Sequence, residues 1–255
     1  MRYLDPKLDP VFRKIFGEHK QLCRSLLNSI LPLQPNQKIV SLTYKPPELP
    51  PDLHIFKDSI VDVYCVDNTG RQFIVEMQMY WTESFKQRVL FNSAKAYVRQ
   101  LKQGGNYKLL KPVYALNFIN EIFIKDSPEY YHDYKIVNIE NTSEQIEGLE
   151  LIFIELPKFK PSNRADKKLY DLWLTFLTEI KEDTEYIPPQ LLKEKVTNEA
   201  INCLKMSSYT KKELEAYDCY WDSISTQKTL IDGKKEEGIE EGIEKGKKEG
   251  REEGI

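Results

Sequence analysis

The feature that most constrains this fold is a pair of apolar segments separated by a short polar turn. Residues 59–66 (SIVDVYCV) and 72–79 (QFIVEMQM) are rich in β-branched and aromatic side chains, which predicts two strands. Residues 68–70 (NTG) fit a three-residue hairpin loop with glycine in the left-handed conformation. Side chains alternate between the faces of a strand. Counting back from the loop along both strands therefore sets Asp62 directly opposite Glu76.

Two carboxylates in that register share one small space. Directly opposed residues have Cβ atoms about 4.5–5.5 Å apart, and Gln78 lies beside the pair on the same face. Buried like charges are unfavourable unless one takes a proton or a cation lies between them. Neither strand places a Lys or Arg on that face. Mg²⁺ binds through one or two carboxylates and can add phosphate oxygens as ligands, so the pattern indicates a metal site that faces a phosphate.

A plainer interpretation of the same residues stays open. One of the two strands could lie at the sheet edge, where its carboxylate would face water. A register shift of one residue would also separate the two carboxylates onto opposite faces.

The remaining elements predict an α/β chain with a helical C-terminal part. Apolar residues at helical spacing predict helices over 9–31, 82–103, 165–182, 188–206 and 210–232. Further strands are expected at 39–44, 112–119, 134–140 and 150–156. The proline-rich run 45–51 (KPPELPP) is expected to be a loop. This order divides the chain into a core at 1–160, a helical region at 161–232 and a tail at 233–255.

The tail is low in complexity, with glycine at every fourth residue from Gly238 to Gly254. Each glycine disfavours a helix by about 1 kcal/mol relative to alanine. The composition therefore favours a solvated, fraying segment. The alternative is a helix whose glycine stripe allows close approach of another helix.

Composition excludes several classes of protein. The 255 residues include 37 Lys and Arg against 40 Asp and Glu, for a net charge of −3, so any nucleic-acid contact must come from a local basic patch. No apolar run is long enough for a transmembrane helix, and the first residues do not form a secretory signal. The four cysteines are irregularly spaced, which predicts free thiols and a cytoplasmic location.

Several stretches together resemble a known family. The pattern Asp62, Glu76 and Gln78 after an N-terminal helix resembles the PD-(D/E)XK nuclease core, and more narrowly the Rpn-type family of recombination-promoting nucleases, or PD-(D/E)XK nuclease family transposases. The stretches that carry the resemblance are LDPVFRKIFG (8–17), LLNSIL (26–31), DSIVDVYCVDNTGRQFIVEMQM (58–79), Phe85 with Arg88, and AKAYVRQLKQGGNYKLLKPVYALNFI (94–119).

This resemblance implies a restriction-endonuclease-like core, with a central mixed sheet flanked by helices. It implies that Asp62 and Glu76 hold Mg²⁺ or Mn²⁺, with the backbone carbonyl of Met77 as a further ligand. The implied activity is DNA endonuclease chemistry in recombination or transposition, with a homodimer plausible for double-strand cleavage. Asp9 would support the metal site, as an acidic residue on the first helix does in related nucleases. The competing role for Asp9 is that of the helix N-cap before Pro10.

The sequence departs from the wider superfamily at Gln78, where a lysine is usual. The narrower family that the chain resembles commonly has glutamine there. Because glutamine carries no charge, a cation from elsewhere could compensate for the missing lysine. Arg88, Asn92, Lys95 and Arg99 recur at spacings of four, three and four, which places them on one helical face. On that face Lys95 could replace the missing lysine, and Arg88 or Arg99 could bind phosphate. The alternative is an ordinary solvated face.

Two functions follow from these patterns. The first is a metal-dependent DNA endonuclease associated with transposition or recombination. The second is a catalytically inactive scaffold that keeps the nuclease fold and binds nucleic acid or protein. Gln78 and the acidic balance favour the scaffold, whereas retention of both costly carboxylates favours the enzyme.

Overall fold

A mixed six-stranded sheet forms the centre of the computed structural model, which describes residues 2–49, 59–161 and 168–252. The strand order is β1-β4-β5-β6-β8-β7. The central pairs β5–β6 and β6–β8 are parallel, and the outer pairs are antiparallel. The strands in this sheet are β1 (Leu42–Tyr44), β4 (Val63–Asp67), β5 (Gln72–Gln78), β6 (Val113–Ile119), β7 (Tyr131–Val137) and β8 (Gln145–Glu155).

The predicted hairpin and its register are confirmed. In β4 and β5, Val63 pairs with Val75 and Val66 pairs with Gln72, so the next pair along the hairpin is Asp62 with Glu76. The loop closes as expected, with Gly70 at φ 90°. β4 nevertheless begins at Val63, one residue after Asp62.

The single strand expected over 59–66 is interrupted before β4. Ser59–Ile60 (β3) leaves the main sheet and pairs with Glu48–Leu49 (β2) in a separate antiparallel ribbon. The prediction that 45–51 is entirely a loop is therefore wrong for β2. Its two residues keep the N–H groups that prolines lack, which is why this short stretch can pair; Pro50 and Pro51 lie outside the described residues.

Helices cover both faces of the sheet and create two apolar clusters. The larger cluster includes Phe12, Phe16 and Trp173, whose rings pack with centroids 4.8 Å (Phe12–Phe16) and 5.5 Å (Phe16–Trp173) apart. The smaller cluster lies under one helix and includes Ile74 and Phe85. The helices are α1 (Asp9–Glu18), α2 (Lys20–Ile30), α3 (Phe85–Val98), α4 (Lys168–Glu179), α5 (Pro189–Lys193), α6 (Lys195–Cys203) and α7 (Lys211–Glu252).

The helical C-terminal region shares the larger cluster with the N-terminal helices, because buried residues of α4, α6 and α7 belong to it. The helix expected over 9–31 is broken at His19, whose φ of −106° and ψ of 89° are not helical. The His19 carbonyl accepts the N–H groups of Leu22 and Cys23, so the break starts the next helix. The helix expected over 188–206 is broken in the same way at Glu194.

The glycine-rich tail continues α7 instead of fraying, so the expectation of a fraying segment differs from the structure. α7 begins with a capping box, in which Glu213 accepts the Thr210 N–H (2.6 Å) and donates its own N–H to the Thr210 hydroxyl (3.3 Å). Ile239 and Ile243 on the distal part are exposed.

No described helix combines the length and hydropathy needed to cross a membrane. All four cysteines are free.

Glu155, at the end of β8, is a fully buried carboxylate that links three segments. Its Oε1 accepts from His132 Nε2 and Lys158 Nζ, both at 2.8 Å. Its Oε2 accepts the N–H groups of Phe123 (2.8 Å) and Ile124 (3.3 Å). Burial opposes ionisation, but these hydrogen bonds outweigh it and lower the pKa of Glu155.

We predict that Glu155→Gln lowers stability in a pH-dependent way. Because the folded-state pKa of Glu155 lies below the unfolded value, its contribution is full above the unfolded pKa and is lost as pH falls through the folded pKa. At neutral pH the variant should lose about 3 kcal/mol, since it removes the negative charge that pairs with Lys158, whose side chain is 9% exposed. Thermal unfolding from neutral to acidic pH measures this, with exposed Glu140→Gln as the control. An equal loss at every pH would contradict it.

Candidate active site

A cavity of about 780 Å³ opens beside β5 at the N-terminal end of β4. Elements from both layers of helices border it, together with the sheet edge. Most of the residues named from sequence as site candidates line it. The polar residues among the lining are Asp9, Arg13, Asp62, Glu76, Gln78, Ser84, Gln87, Arg88, Asn92 and Tyr220.

Asp62 and Glu76 are both buried in this cavity, with side chains 15% and 7% exposed. Burial, and then the charge of Asp9, raise the pKa of Asp62 well above its usual value, with a smaller contribution from Glu76. A hydrogen bond from the Met77 N–H to Asp62 Oδ2 (2.7 Å) acts in the opposite direction. Burial also raises the pKa of Glu76. Both β4 and β5 are interior strands, so the plainer interpretation, which places one of them at the sheet edge, is wrong.

The backbone of Met77 faces the cavity because β4 begins only at Val63, which pairs with Val75 and leaves Met77 unpaired on that side. In an antiparallel pair, the N–H and C=O of one residue point to the same side of the strand. The Met77 N–H reaches Asp62 on the β4 side, so its carbonyl lies on that side as well, past the last paired residue. The neighbouring Gln78 carbonyl points the other way, where it accepts the Asn120 N–H at 2.9 Å. Of these two carbonyls, that of Met77 is the one directed toward the carboxylates.

Sequence reasoning missed Arg13. The two strands carry no cation on this face, but α1 supplies one. Arg13 Nε donates to Asp9 Oδ1 (2.5 Å), and its Nη2 donates to Asp62 Oδ1 (3.3 Å). The signal in the sequence was the spacing of four between Asp9 and Arg13, which brings the two side chains together on one helix.

Asp9 does not cap α1, so the N-cap interpretation is wrong. The N-cap is Leu8, whose carbonyl accepts the N–H groups of Val11 and Phe12. Asp9 is the first helical residue, and its carboxylate turns to Arg13 and the cavity. Its charge contributes to the raised pKa of Asp62, which shows that the two carboxylates are close.

Gln78 lies at the cavity with both ends of its amide occupied. Its Nε2 donates to the Tyr80 carbonyl (2.8 Å), and its Oε1 accepts from Arg88 Nη2 (2.7 Å). The same Arg88 nitrogen lies 3.6 Å from Glu76 Oε2. Arg88 therefore brings a positive charge next to both Gln78 and Glu76.

The face of α3 predicted to look toward the site brings Arg88 and Asn92 to the cavity. Asn92 and Lys95 are 2% and 9% exposed, so Lys95 does not lie on a solvated face, whereas Arg99 is partly exposed. Lys95 and Arg99 lie further along α3 and are not among the lining residues. Arg99 is close enough to Tyr64 for its charge to lower the pKa of that phenol, against the larger effect of burial. The structure therefore brings Arg88, rather than Lys95, to Gln78.

Asn92 holds Glu76 from the α3 side. Its Nδ2 donates to Glu76 Oε1 at 3.3 Å. Within the described residues, the buried Asn92 Oδ1 has no hydrogen-bond partner. A buried amide oxygen without a donor is uncommon and is typical of a position that accepts from a bound water or ion.

The cavity is lined by three carboxyl groups and two guanidinium groups. Asp9, Asp62 and Glu76 face two guanidinium groups, those of Arg13 and Arg88. In residues 2–49, 59–161 and 168–252, no three His, Cys, Asp or Glu side chains converge into a complete metal cage. Mg²⁺ does not need one, because it binds through one or two carboxylates and keeps several waters. A hard divalent cation takes oxygen donors of the type found here. They are the carboxyl groups of Asp62 and Glu76, whose pKa values are raised, the Met77 carbonyl and the Asn92 amide oxygen.

Residues 6–233 match the PD-(D/E)XK nuclease family transposase family. The chain belongs to this family. No curated protein and no solved structure matches the chain.

The family match contains every residue that lines the cavity. It ends at Gly233, where the glycine-rich part of α7 begins. The aromatic Trp81 lies next to the site but packs against Phe123, with ring centroids 4.1 Å apart and nearly parallel. Trp81 therefore covers the rim of the core.

We predict that Arg13 stabilises the fold through the acidic cavity. Arg13→Gln should lower the free energy of unfolding by about 1 kcal/mol, since Arg13 is partly exposed and its ion pairs are screened. Adding Asp9→Asn should recover most of that loss, because it removes one of the carboxylates left unpaired. Urea unfolding of both single variants and the double variant measures the coupling. Strictly additive losses would contradict this account.

Proposed function

We propose that this chain is a divalent-metal-dependent DNA endonuclease that acts in transposition or recombination. The observation that carries the proposal is the side-by-side burial of Asp62 and Glu76 in a cavity that also presents two arginines. A scaffold without activity gains nothing from buried carboxylates with raised pKa values. Nuclease chemistry uses such a pair, since it needs a metal and a place for phosphate.

In this proposal, Asp62, Glu76 and the Met77 carbonyl hold Mg²⁺ or Mn²⁺. When bound, the cation would supply Lewis acidity toward a phosphodiester and lower the pKa of a water. The Met77 N–H and Arg13 fix Asp62, and Asn92 fixes Glu76, so both carboxylates are oriented before the ion arrives. Asp9 supports the site through Arg13 and does not need to be a ligand.

Arg88 is the side chain that we assign to phosphate and to the charge that develops on it. Its guanidinium is half-exposed, next to both Glu76 and Gln78. Guanidinium groups donate paired hydrogen bonds to phosphate oxygens. Gln78 orients Arg88 instead of acting as a base. Arg99 is retained as a phosphate contact further along α3, outside the cavity. The proposed partner is DNA, the proposed location is the cytoplasm, and a homodimer would suit double-strand cleavage.

We predict that supercoiled plasmid is nicked in the presence of Mg²⁺ or Mn²⁺ and left intact in EDTA or Ca²⁺. Asp62→Asn and Glu76→Gln should each lower the rate by at least about 100-fold, because each removes a charged metal ligand. Both variants should remain folded, since the substitutions remove desolvated charge from the cavity. Isothermal titration with Mn²⁺ should show weaker metal binding in both.

The control for this experiment is Glu140→Gln, an exposed carboxylate that does not line the cavity. It should nick plasmid at the wild-type rate. Equal nicking by wild type, Asp62→Asn and Glu76→Gln would mean that the activity does not come from this site. Tight Mn²⁺ binding without any nicking would support the inactive scaffold.

We also predict which cation replaces the superfamily lysine. Arg88→Gln should lower kcat by about 100-fold, the loss that follows removal of a group that stabilises developing charge. Lys95→Gln should act mainly on stability, because Lys95 is buried outside the cavity lining. Cleavage rates and melting temperatures of both variants separate the two effects. A large loss of kcat in a stably folded Lys95→Gln protein would instead identify Lys95 as the catalytic cation.

A further inference from the structure

Tyr220 reaches the candidate active site from α7, at the far end of the chain. It lies on one stripe of that helix with Glu213, Tyr217 and Ile224, at spacings of four, three and four. Glu213 Oε1 accepts from Lys14 Nζ of α1 at 2.6 Å. Tyr217 and Ile224 are only 3% and 5% exposed. The contacts on both sides of Tyr220 therefore hold it against α1 and the cavity.

The ring and the hydroxyl of Tyr220 have different surroundings. The ring packs against the larger apolar cluster, while the residue lines the cavity that contains Asp62 and Glu76. Burial, and then the charges of Asp9 and Asp62, raise the pKa of Tyr220 to about 12. The phenol therefore keeps its proton near neutral pH and can donate a hydrogen bond.

A neutral donor suits an anionic substrate in this setting. A phosphodiester that enters the cavity meets repulsion from the carboxylates and attraction from Arg13 and Arg88. An added O–H donor favours a phosphate oxygen without competing for the carboxylates as a third cation would. Tyr220 approaches from α7, whereas Arg88 approaches from α3, so the two donors reach the cavity from different elements.

We propose that Tyr220 is a substrate-contacting residue whose hydroxyl donates to a non-bridging phosphate oxygen of the DNA strand. This inference rests on the proposed endonuclease function and makes α7 part of the active site. It assigns to the C-terminal helical region a role in holding the substrate, in addition to its packing in the core.

The test compares wild type, Tyr220→Phe and Tyr186→Phe as full-length chains. Tyr186 is 72% exposed and does not line the cavity, so it controls for loss of a tyrosine hydroxyl. Binding of fluorescein-labelled single- and double-stranded oligonucleotides is measured by anisotropy in Ca²⁺. The kcat and KM are measured in Mg²⁺, Mn²⁺ affinity by calorimetry, and stability by thermal unfolding.

The expected result for Tyr220→Phe is about a tenfold weaker DNA affinity and a similar loss of kcat/KM, the effect of one hydrogen bond to a charged group. Melting temperature and Mn²⁺ affinity should match wild type, since the ring and the metal ligands are intact. Wild-type DNA affinity and kcat/KM in this variant would overturn the inference. A parallel loss of Mn²⁺ affinity would also overturn it, because Tyr220 would then act on the carboxylates.

The failure of the proposed function gives a different pattern. If Asp62→Asn cleaves as wild type does, the endonuclease site is elsewhere, yet the anisotropy measurement in Ca²⁺ still reports on Tyr220. If wild type binds no DNA under any of these conditions, both proposals fall.

Discussion

The start of β4 at Val63, one residue after Asp62, is the constraint on which the candidate site depends. β5 lies at the point where the sheet changes from antiparallel pairing with β4 to parallel pairing with β6. Before Val63 the chain lies outside the main sheet, where β3 pairs with β2. Met77 of β5 therefore has no strand partner on the β4 side, although it pairs with β6 on the other side. Asp62 takes the Met77 N–H instead, which satisfies the backbone group with a carboxylate. The interruption thus creates the cavity and directs an acidic side chain into it at the same time.

The electrostatics of the cavity join the two helical layers. Arg13 belongs to α1 on the side of the larger apolar cluster, and Arg88 belongs to α3 on the opposite side of the sheet. Each guanidinium meets one carboxylate of the pair, so the acidic edge of the sheet is held from both faces. The cavity thus holds three carboxyl groups against two guanidinium groups, and burial opposes the ionisation of Asp62 and Glu76. Such a buried acidic pair is unfavourable for the empty protein, whereas a bound cation would favour its ionised form.

The parts of this site that could be predicted from sequence are those set by local periodicity. The pairing of Asp62 with Glu76 follows from a strand period of two and a glycine at the loop, and both are visible in 59–79. The side of α3 that carries Arg88 and Asn92 follows from the helical period. Arg13 and Tyr220 could not be placed, because their positions depend on the packing of α1 and α7 on a shared core. The break at 61–62 was also hidden, since β3 pairs with a segment between prolines that carries no strand signal of its own.

Gln78 departs from the superfamily pattern, but this part of the cavity keeps a positive charge because Gln78 binds Arg88. A lysine at this position would bring its ammonium group to the place that Arg88 now occupies, 2.7 Å from Gln78 Oε1. Two cations at that distance would repel each other, and one of them would have to leave the cavity. A neutral amide that accepts from the guanidinium and donates to the Tyr80 carbonyl avoids this repulsion and fixes the guanidinium beside Glu76. In this chain the positive charge next to Gln78 and Glu76 therefore comes from α3.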